Sequence, residues 1–125
     1  MHESVLLNES LEFLNLRDDS IIVDCTLGYG GHSSNILKKI PNGHLYSFDQ
    51  DIDAINYSSE RLSKINSNFT IIKSNFKNIT AKLNELNVTK VNGILYDLGV
   101  SSPQLDVGER GFSYHLNGRL DMRMD

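Results

Sequence analysis

An α/β fold, with a parallel sheet covered by helices on both faces, is predicted by three features of this 125-residue sequence. Short apolar runs alternate with segments of helical spacing, three of those runs end in an acid, and the first passes into a glycine-rich turn that opens onto a helix. That order is how α/β proteins build a pocket for an adenosine-containing cofactor at the carboxyl end of a strand.

The elements follow in turn. Leu7, Leu11 and Leu14 share one face of a short N-terminal helix. The apolar run Ile21-Ile-Val23 closes on Asp24 and predicts the first strand, followed by the turn Gly28-Tyr-Gly-Gly31. Ile36, Leu37 and Ile40 mark a helix that Pro41-Asn-Gly43 stops, because proline cannot continue a helix and Asn-Gly favours a turn. A second strand over residues 45–48 ends at Asp49, and a longer helix from about Asp51 carries Ile52, Ile55, Leu62 and Ile65 at helical spacing. A third strand spans residues 69–73, and a third helix carries Ile79, Leu83 and Leu86. The fourth strand, residues 93–96, runs into Asp97. Uninterrupted apolar strands separated by helices mean a parallel sheet buried on both faces. After Leu98 the periodicity stops, and residues 99–125, rich in Gly, Ser, Asp and Arg, read as a long loop. A loop of that length is usually functional. Four strands with such a tail predict an incomplete domain: one N-terminal part, residues 1–125, with 99–125 as its active-site and substrate region.

Composition narrows the function classes. With 39% hydrophobic and 22% charged residues the chain is ordinary for a globular protein, and its net charge of −4 supplies no electrostatic footprint for nucleic acid. One cysteine, Cys25, excludes an intramolecular disulfide framework and a cysteine-built zinc cluster. No apolar stretch reaches the ~20 residues of a membrane span and no signal peptide precedes the first element, which makes an intracellular location the expectation.

The turn decides between cofactors. A dinucleotide fingerprint wants Gly-x-Gly-x-x-Gly, whereas Gly28-Tyr-Gly-Gly-His-Ser33 ends in serine. S-adenosylmethionine has no phosphates and carries a cationic amine and a sulfonium, which suit the acids Asp24, Asp49 and Asp97 at three strand ends. The backbone of residues 28–31, Gly30 and Gly31 included, would approach its methionine part with Asp24 near the amine; a tight turn without a ligand is the alternative. Asp49 would accept both ribose hydroxyls, or would cap the helix that follows. Phe76 would lie against the adenine face, or belong to the core. His32, at a helix start, reads as a capping or surface residue more readily than as a base. Cys25 is expected to be buried beside the turn without a nucleophilic role.

Asp97-Leu-Gly-Val-Ser-Ser-Pro-Gln-Leu-Asp106, Arg110-Gly-Phe-Ser-Tyr114 and Leu120-Asp-Met-Arg-Met-Asp125 are too particular for scaffold. With Asp24-Cys-Thr-Leu-Gly-Tyr-Gly-Gly-His-Ser33 and the opening His2-Glu-Ser-Val-Leu-Leu7, they make the chain resemble, from end to end, the MraW/RsmH family. Members of that family methylate the exocyclic amine of a cytosine in small-subunit ribosomal RNA. The resemblance implies a Rossmann-like class I methyltransferase fold, continued in family members by a helical insertion and further strands. It implies S-adenosylmethionine as cofactor, with contacts at Gly30, Gly31, His32, Asp49, Phe76, Asp97 and Gln104. The implied partner is small-subunit ribosomal RNA, with no membrane and with the oligomeric state open, a dimer included. Arg119 stands where the family commonly has Pro, and Tyr114 where it has Phe.

The implied substrate sets the chemistry. A cytosine amine is a poor nucleophile because its lone pair is delocalised into the ring, so an acceptor for the amine's protons helps it rehybridise. Asp97 is the candidate, either on the amine or on the cofactor; Ser101, Ser102 and the carbonyls flanking Pro103 are alternatives. Methylation of a ring carbon would need an attacking cysteine beside a proline, which this sequence lacks. Direct displacement then rests on proximity and alignment and requires no metal. Arg110, Arg119 and Arg123 could pair with phosphates, although arginines in a polar loop more often face water. A cofactor-binding module without turnover, and a methyltransferase for another substrate, are the competing readings.

Overall fold

In the computed structural model the described residues are 12–96, 99–101 and 104–114, with the backbone alone at Phe76. Four strands lie parallel: β1 (Ile21–Asp24), β2 (His44–Asp49), β3 (Phe69–Lys73) and β5 (Gly93–Tyr96). Helices α1 (Gly31–Lys39), α2 (Ile52–Ser63) and α3 (Ile79–Glu85) connect them, the last entered through a 3-10 turn at Phe76–Asn78. The sheet order is β3-β2-β1-β5-β6, where β6 (Gly99–Ser101) runs antiparallel to β5. The chain therefore steps outward from β1 to β3 and then returns to the other side of β1. Ligands of open α/β sheets bind at such a reversal, beyond the carboxyl ends of the strands.

Adjacent residues of a strand face opposite sides, and here both sides are dry. Ile22 and Leu95 point into a cluster with Ile36, Leu37, Leu45 and Leu62, under α1 and α2. Val23 and Ile94 point the other way, toward Phe48, Ile79, Leu83 and Val107. A fully buried Leu or Ile contributes about 1.5–3 kcal/mol relative to exposure, so these two clusters hold the sandwich together. Within the helices the apolar stripe departs from the expected one. On α2 the buried face is Ala54, Ser58 and Leu62, while Ile52 is half exposed; on the third helix Ile79 and Leu83 are buried but Leu86 lies outside.

The segment after Leu98 corrects the expectation of an aperiodic loop. Besides β6 it forms β7 (Leu105–Gly108) and β8 (Gly111–Tyr114), an antiparallel hairpin that joins the two-residue strand β4 (Lys90–Val91) in a second sheet of order β4-β7-β8. The hairpin buries Leu105 and Val107 against α3 and exposes Gly108. Its turn, Glu109-Arg110, carries no Asn-Gly signal. Among the described residues the only non-glycine positive φ angles are at Asn15 and Asn87, so this turn closes without the left-handed conformation that marks hairpins in sequence.

Gly43 explains the stop after α1 more sharply than turn propensity does. A Cβ there would meet the Ser20 carbonyl oxygen at 1.9 Å, because His44 N–H must reach that same carbonyl at 3.1 Å to start β2 beside β1. Gly43→Ala is expected to destabilise the fold by about 1–3 kcal/mol, as overpacking against fixed backbone does, seen as a lower urea midpoint at unchanged slope.

Candidate cofactor site

Between β1 and α1 the chain must reverse sharply. Gly30 N–H donates to the Leu27 carbonyl at 2.7 Å, with Gly28 at φ +47° and Gly30 at φ +88°. Side-chain-bearing residues rarely adopt those angles, which accounts for glycine at both. Gly30 is the residue before α1, and its carbonyl takes the Ser34 N–H at 2.8 Å, the first bond of the helix.

The turn is pinned from two sides. Asp49, at the end of β2, accepts the Gly28 N–H on Oδ2 at 2.9 Å. From α2, Ser58 Oγ donates to the Gly28 carbonyl at 2.7 Å and Arg61 Nη1 donates to the Tyr29 carbonyl at 3.0 Å. Asp49 also accepts, on Oδ1, the N–H groups of Gln50 (2.7 Å) and Asp51 (2.9 Å). Capping of α2 is done by Asp51, whose side chain accepts from Asp53 N–H at 2.9 Å. Asp49 is thus not the helix cap. A carboxylate offers about four acceptor sites, and with three protein donors bound Asp49 retains capacity on Oδ2, beside the turn.

Asp24 lies beneath the turn, contrary to the expectation that sets it near a ligand amine. It is fully buried, and its oxygens accept the Thr26 N–H (2.7 Å), the Thr26 hydroxyl (2.6 Å) and the Ser33 hydroxyl (2.6 Å). Three internal donors and no solvent-facing surface make it an anchor for the turn. Ser33 in turn shares a 2.7 Å contact with Ser47 of β2. The serine that replaces the third glycine of a dinucleotide fingerprint therefore has a partner built for it, in the core between helix and sheet.

The structure brings Gly30, Gly31, His32 and Asp49 together at this turn. Gly31 starts α1, and a Cβ built on it meets nothing within 4 Å, so the turn presents bare backbone to open space there. His32 is half-buried with Nδ1 3.4 Å from Thr26 Oγ1, and Cys25, half-buried, follows β1 with its N–H on the Leu95 carbonyl at 2.8 Å. Gln104 is exposed immediately before β7, and Arg110 is exposed in the hairpin turn. Phe76 opens the 3-10 turn after β3, but its side chain lies outside the described residues, as do Asp97, Arg119 and Arg123. Burial lowers the His44 pKa and raises that of Tyr46; their rings stand 4.5 Å apart at the opposite end of β2 from Asp49.

The family model for MraW methylases matches residues 1–125. The chain belongs to the MraW methylase family. It is 58% identical over 124 residues to the ribosomal RNA small subunit methyltransferase H of Exiguobacterium sibiricum and 59% identical to that of Mesoplasma florum, covering 99% of this chain and 40% of each relative. The chain thus spans about 40% of the length of these MraW relatives. Among solved structures, an rRNA methylase from Streptococcus thermophilus superposes with a TM-score of 0.52 at 28% identity, over 62% of this chain and 45% of that one. A methyltransferase structure from Streptococcus mutans in complex with SAH gives 0.53 at 26% identity, over 60% and 43%. The α/β sheet with its helices is the Rossmann-like class I methyltransferase fold.

Ser58 and Arg61 are not found by sequence reasoning. The one signal is a serine in the buried 54-58-62 stripe of α2, where leucine would fill the space. Removing the hydroxyl in Ser58→Ala leaves the Gly28 carbonyl short of a donor, and is expected to lower stability by about 1–3 kcal/mol in urea melts.

Proposed function

We propose that this protein is an S-adenosylmethionine-dependent methyltransferase acting on the exocyclic amine of a cytosine in small-subunit ribosomal RNA. The observation that carries the cofactor assignment is the pairing of Gly31, whose Cβ side is open, with Asp49, whose carboxylate lies beside the same turn. Open backbone and a carboxylate with spare acceptor capacity fit a ligand that has a zwitterionic amino-acid end and a ribose. In this reading the 28–31 backbone and His32 hold the methionine part, Asp49 a ribose hydroxyl through the capacity left on Oδ2, and Phe76 the adenine, with Gln104 and Asp97 as further contacts.

When bound, S-adenosylmethionine supplies an electrophilic methyl group on its sulfonium. The chain's share is alignment and proton handling. Asp97 follows β5, the strand across the reversal from β2, and its carboxylate accepts a hydrogen bond from the target amine, then takes the proton that the amine sheds as its bond to carbon forms. The class of substrate is supported by the names of the relatives and by the 97–106 block. The base must leave its stack to reach a strand-end pocket. In the same reading residues 1–125 are the N-terminal part of a single S-adenosylmethionine-binding methyltransferase domain, with 99–125 as its active-site and substrate region, and the compartment is the bacterial cytoplasm or, in a eukaryote, an organelle matrix. Among the described residues no helix is long and apolar enough to cross a membrane.

Melting the chain with S-adenosylmethionine, and with NAD as control, tests the cofactor: binding to the folded state adds about 2.7 kcal/mol at a hundredfold excess over Kd. Transfer of labelled methyl to cytosine in small ribosomal subunits tests the substrate. A shift with NAD alone excludes the cofactor assignment, and label appearing elsewhere than on a cytosine amine excludes the substrate.

A further inference from the structure

We infer that Asp24 and Thr26 fix the tautomer of His32, placing its proton on Nδ1 and leaving Nε2 as a hydrogen-bond acceptor for the cationic amine of the cofactor. The protons can be counted along a buried chain of groups. Asp24 is wholly enclosed and only accepts. Thr26 has a single hydroxyl proton, and Asp24 Oδ1 at 2.6 Å claims it over the imidazole nitrogen at 3.4 Å, since a short charge-assisted bond is about twice as strong as a neutral one. Were the hydroxyl turned toward His32, two oxygens would face each other at 2.6 Å with no proton between them. Thr26 Oγ1 therefore meets His32 as an acceptor, and Nδ1 must be the donor. The second branch is consistent: Ser33 gives its proton to Asp24 at 2.6 Å, so Ser47 donates to Ser33 at 2.7 Å. The carboxylate is held from both sides and cannot turn away from Thr26.

A neutral imidazole with its proton on Nδ1 exposes a lone pair on Nε2. His32 follows Gly31, at the start of α1 and beside the open backbone, and its ring is only half-buried. Asp24, being internally satisfied, cannot itself receive the ligand's ammonium group; His32 relays its charge preference one residue outward. Thr26 acts as a positioning residue, and its effect on binding passes through His32. The tautomer stands on geometry alone, whereas the ammonium contact rests on S-adenosylmethionine being the ligand.

Long-range proton–nitrogen NMR of the chain labelled at its histidines, with His32→Gln to assign the signal, reads the tautomer directly at mildly alkaline pH. The expected spectrum has His32 protonated on Nδ1, with Nε2 bare. Thr26→Val, which keeps the shape and removes the hydroxyl, is expected to move the proton to Nε2 and weaken S-adenosylmethionine binding about tenfold or more, as loss of a hydrogen bond to a charged group does. Thr26→Ser is expected to restore both. Wild-type His32 protonated on Nε2 overturns the inference, and that spectrum decides even if Thr26→Val fails to fold. A tautomer switch in Thr26→Val at unchanged affinity overturns the ammonium contact. Failure of the wild type to bind S-adenosylmethionine refutes the proposed cofactor and leaves the tautomer assignment to stand or fall on the spectrum.

Discussion

Asp49→Ala is expected to weaken S-adenosylmethionine binding about tenfold to a hundredfold while leaving a chain that still melts cooperatively. The carboxylate has two jobs, and they separate by burial. Toward the protein it accepts three backbone N–H groups, of which those of Gln50 and Asp51 are at exposed positions and can be taken over by water. Only the Gly28 N–H is partly buried, so the stability loss should be about 1 kcal/mol, the net value of one such hydrogen bond. Toward the ligand, one ribose hydroxyl on the acceptor site left free on the charged carboxylate is worth about 1.5–3 kcal/mol, roughly tenfold to a hundredfold in Kd. Binding should therefore fall by more than folding does. Asp49→Asn sharpens the test, because it keeps one oxygen for Gln50 and Asp51 but sets an amide where the Gly28 N–H and the ribose need an acceptor. Calorimetry with both variants checks the sequence of affinities: wild type tightest, then Asn, then Ala. An alanine variant binding within a few-fold of wild type would remove Asp49 from the ribose role.

The strand ends and the glycine turn were legible in the sequence because their signals are local. An apolar run closed by an acid needs nothing beyond its neighbours, and β1, β2, β3 and β5 lie where those runs do, within a residue. What was not legible depended on partners far along the chain. The hairpin β7–β8 has strands of four residues and a Glu-Arg turn, too short for alternation to stand out among Gly and Ser. Its existence is decided by the apolar face of α3, against which Leu105 and Val107 pack. The exposure of Ile52 likewise depends on distant partners: on α2 Ala54, Ser58 and Leu62 face inward, and Ser58 there donates to the Gly28 carbonyl.

Within the site, the residue types were readable and their assignments were not. Three acids at strand ends suggest similar ligand roles for Asp24 and Asp49. The structure separates them by depth: Asp24 is spent on Thr26 and Ser33, and Asp49 sits at the rim with acceptor capacity left. Sequence could not show this because the deciding donors, Ser33 and the Gly28 N–H, come from different sides of the same turn. The third glycine of the dinucleotide pattern is absent for a chemical reason: its position is needed by a hydroxyl.

The two adjacent glycines of the turn should respond oppositely to the same added methyl group. Gly30→Ala places a side chain at φ +88° and 3.2 Å from Ser58 Oγ, so it strains the backbone by about 1–2 kcal/mol and disturbs the bond that pins the turn. Folding and binding should fall together. Gly31→Ala meets no protein atom within 4 Å and lies at the first position of α1, where alanine is the better helix former by up to about 1 kcal/mol. Its stability should equal or slightly exceed that of wild type. If the bare backbone at Gly31 is where the ligand approaches, the same methyl group stands in the ligand's place, and binding should weaken tenfold to a hundredfold, on the order of the 1–3 kcal/mol that overpacking costs. Urea melts paired with calorimetry separate the outcomes. Lost affinity at full stability can only come from contact with the ligand, since the apo protein offers the new methyl nothing to strike. Unchanged affinity would mean that S-adenosylmethionine, if it binds, keeps clear of Gly31, and the turn would then be an architectural device holding β1 to α1.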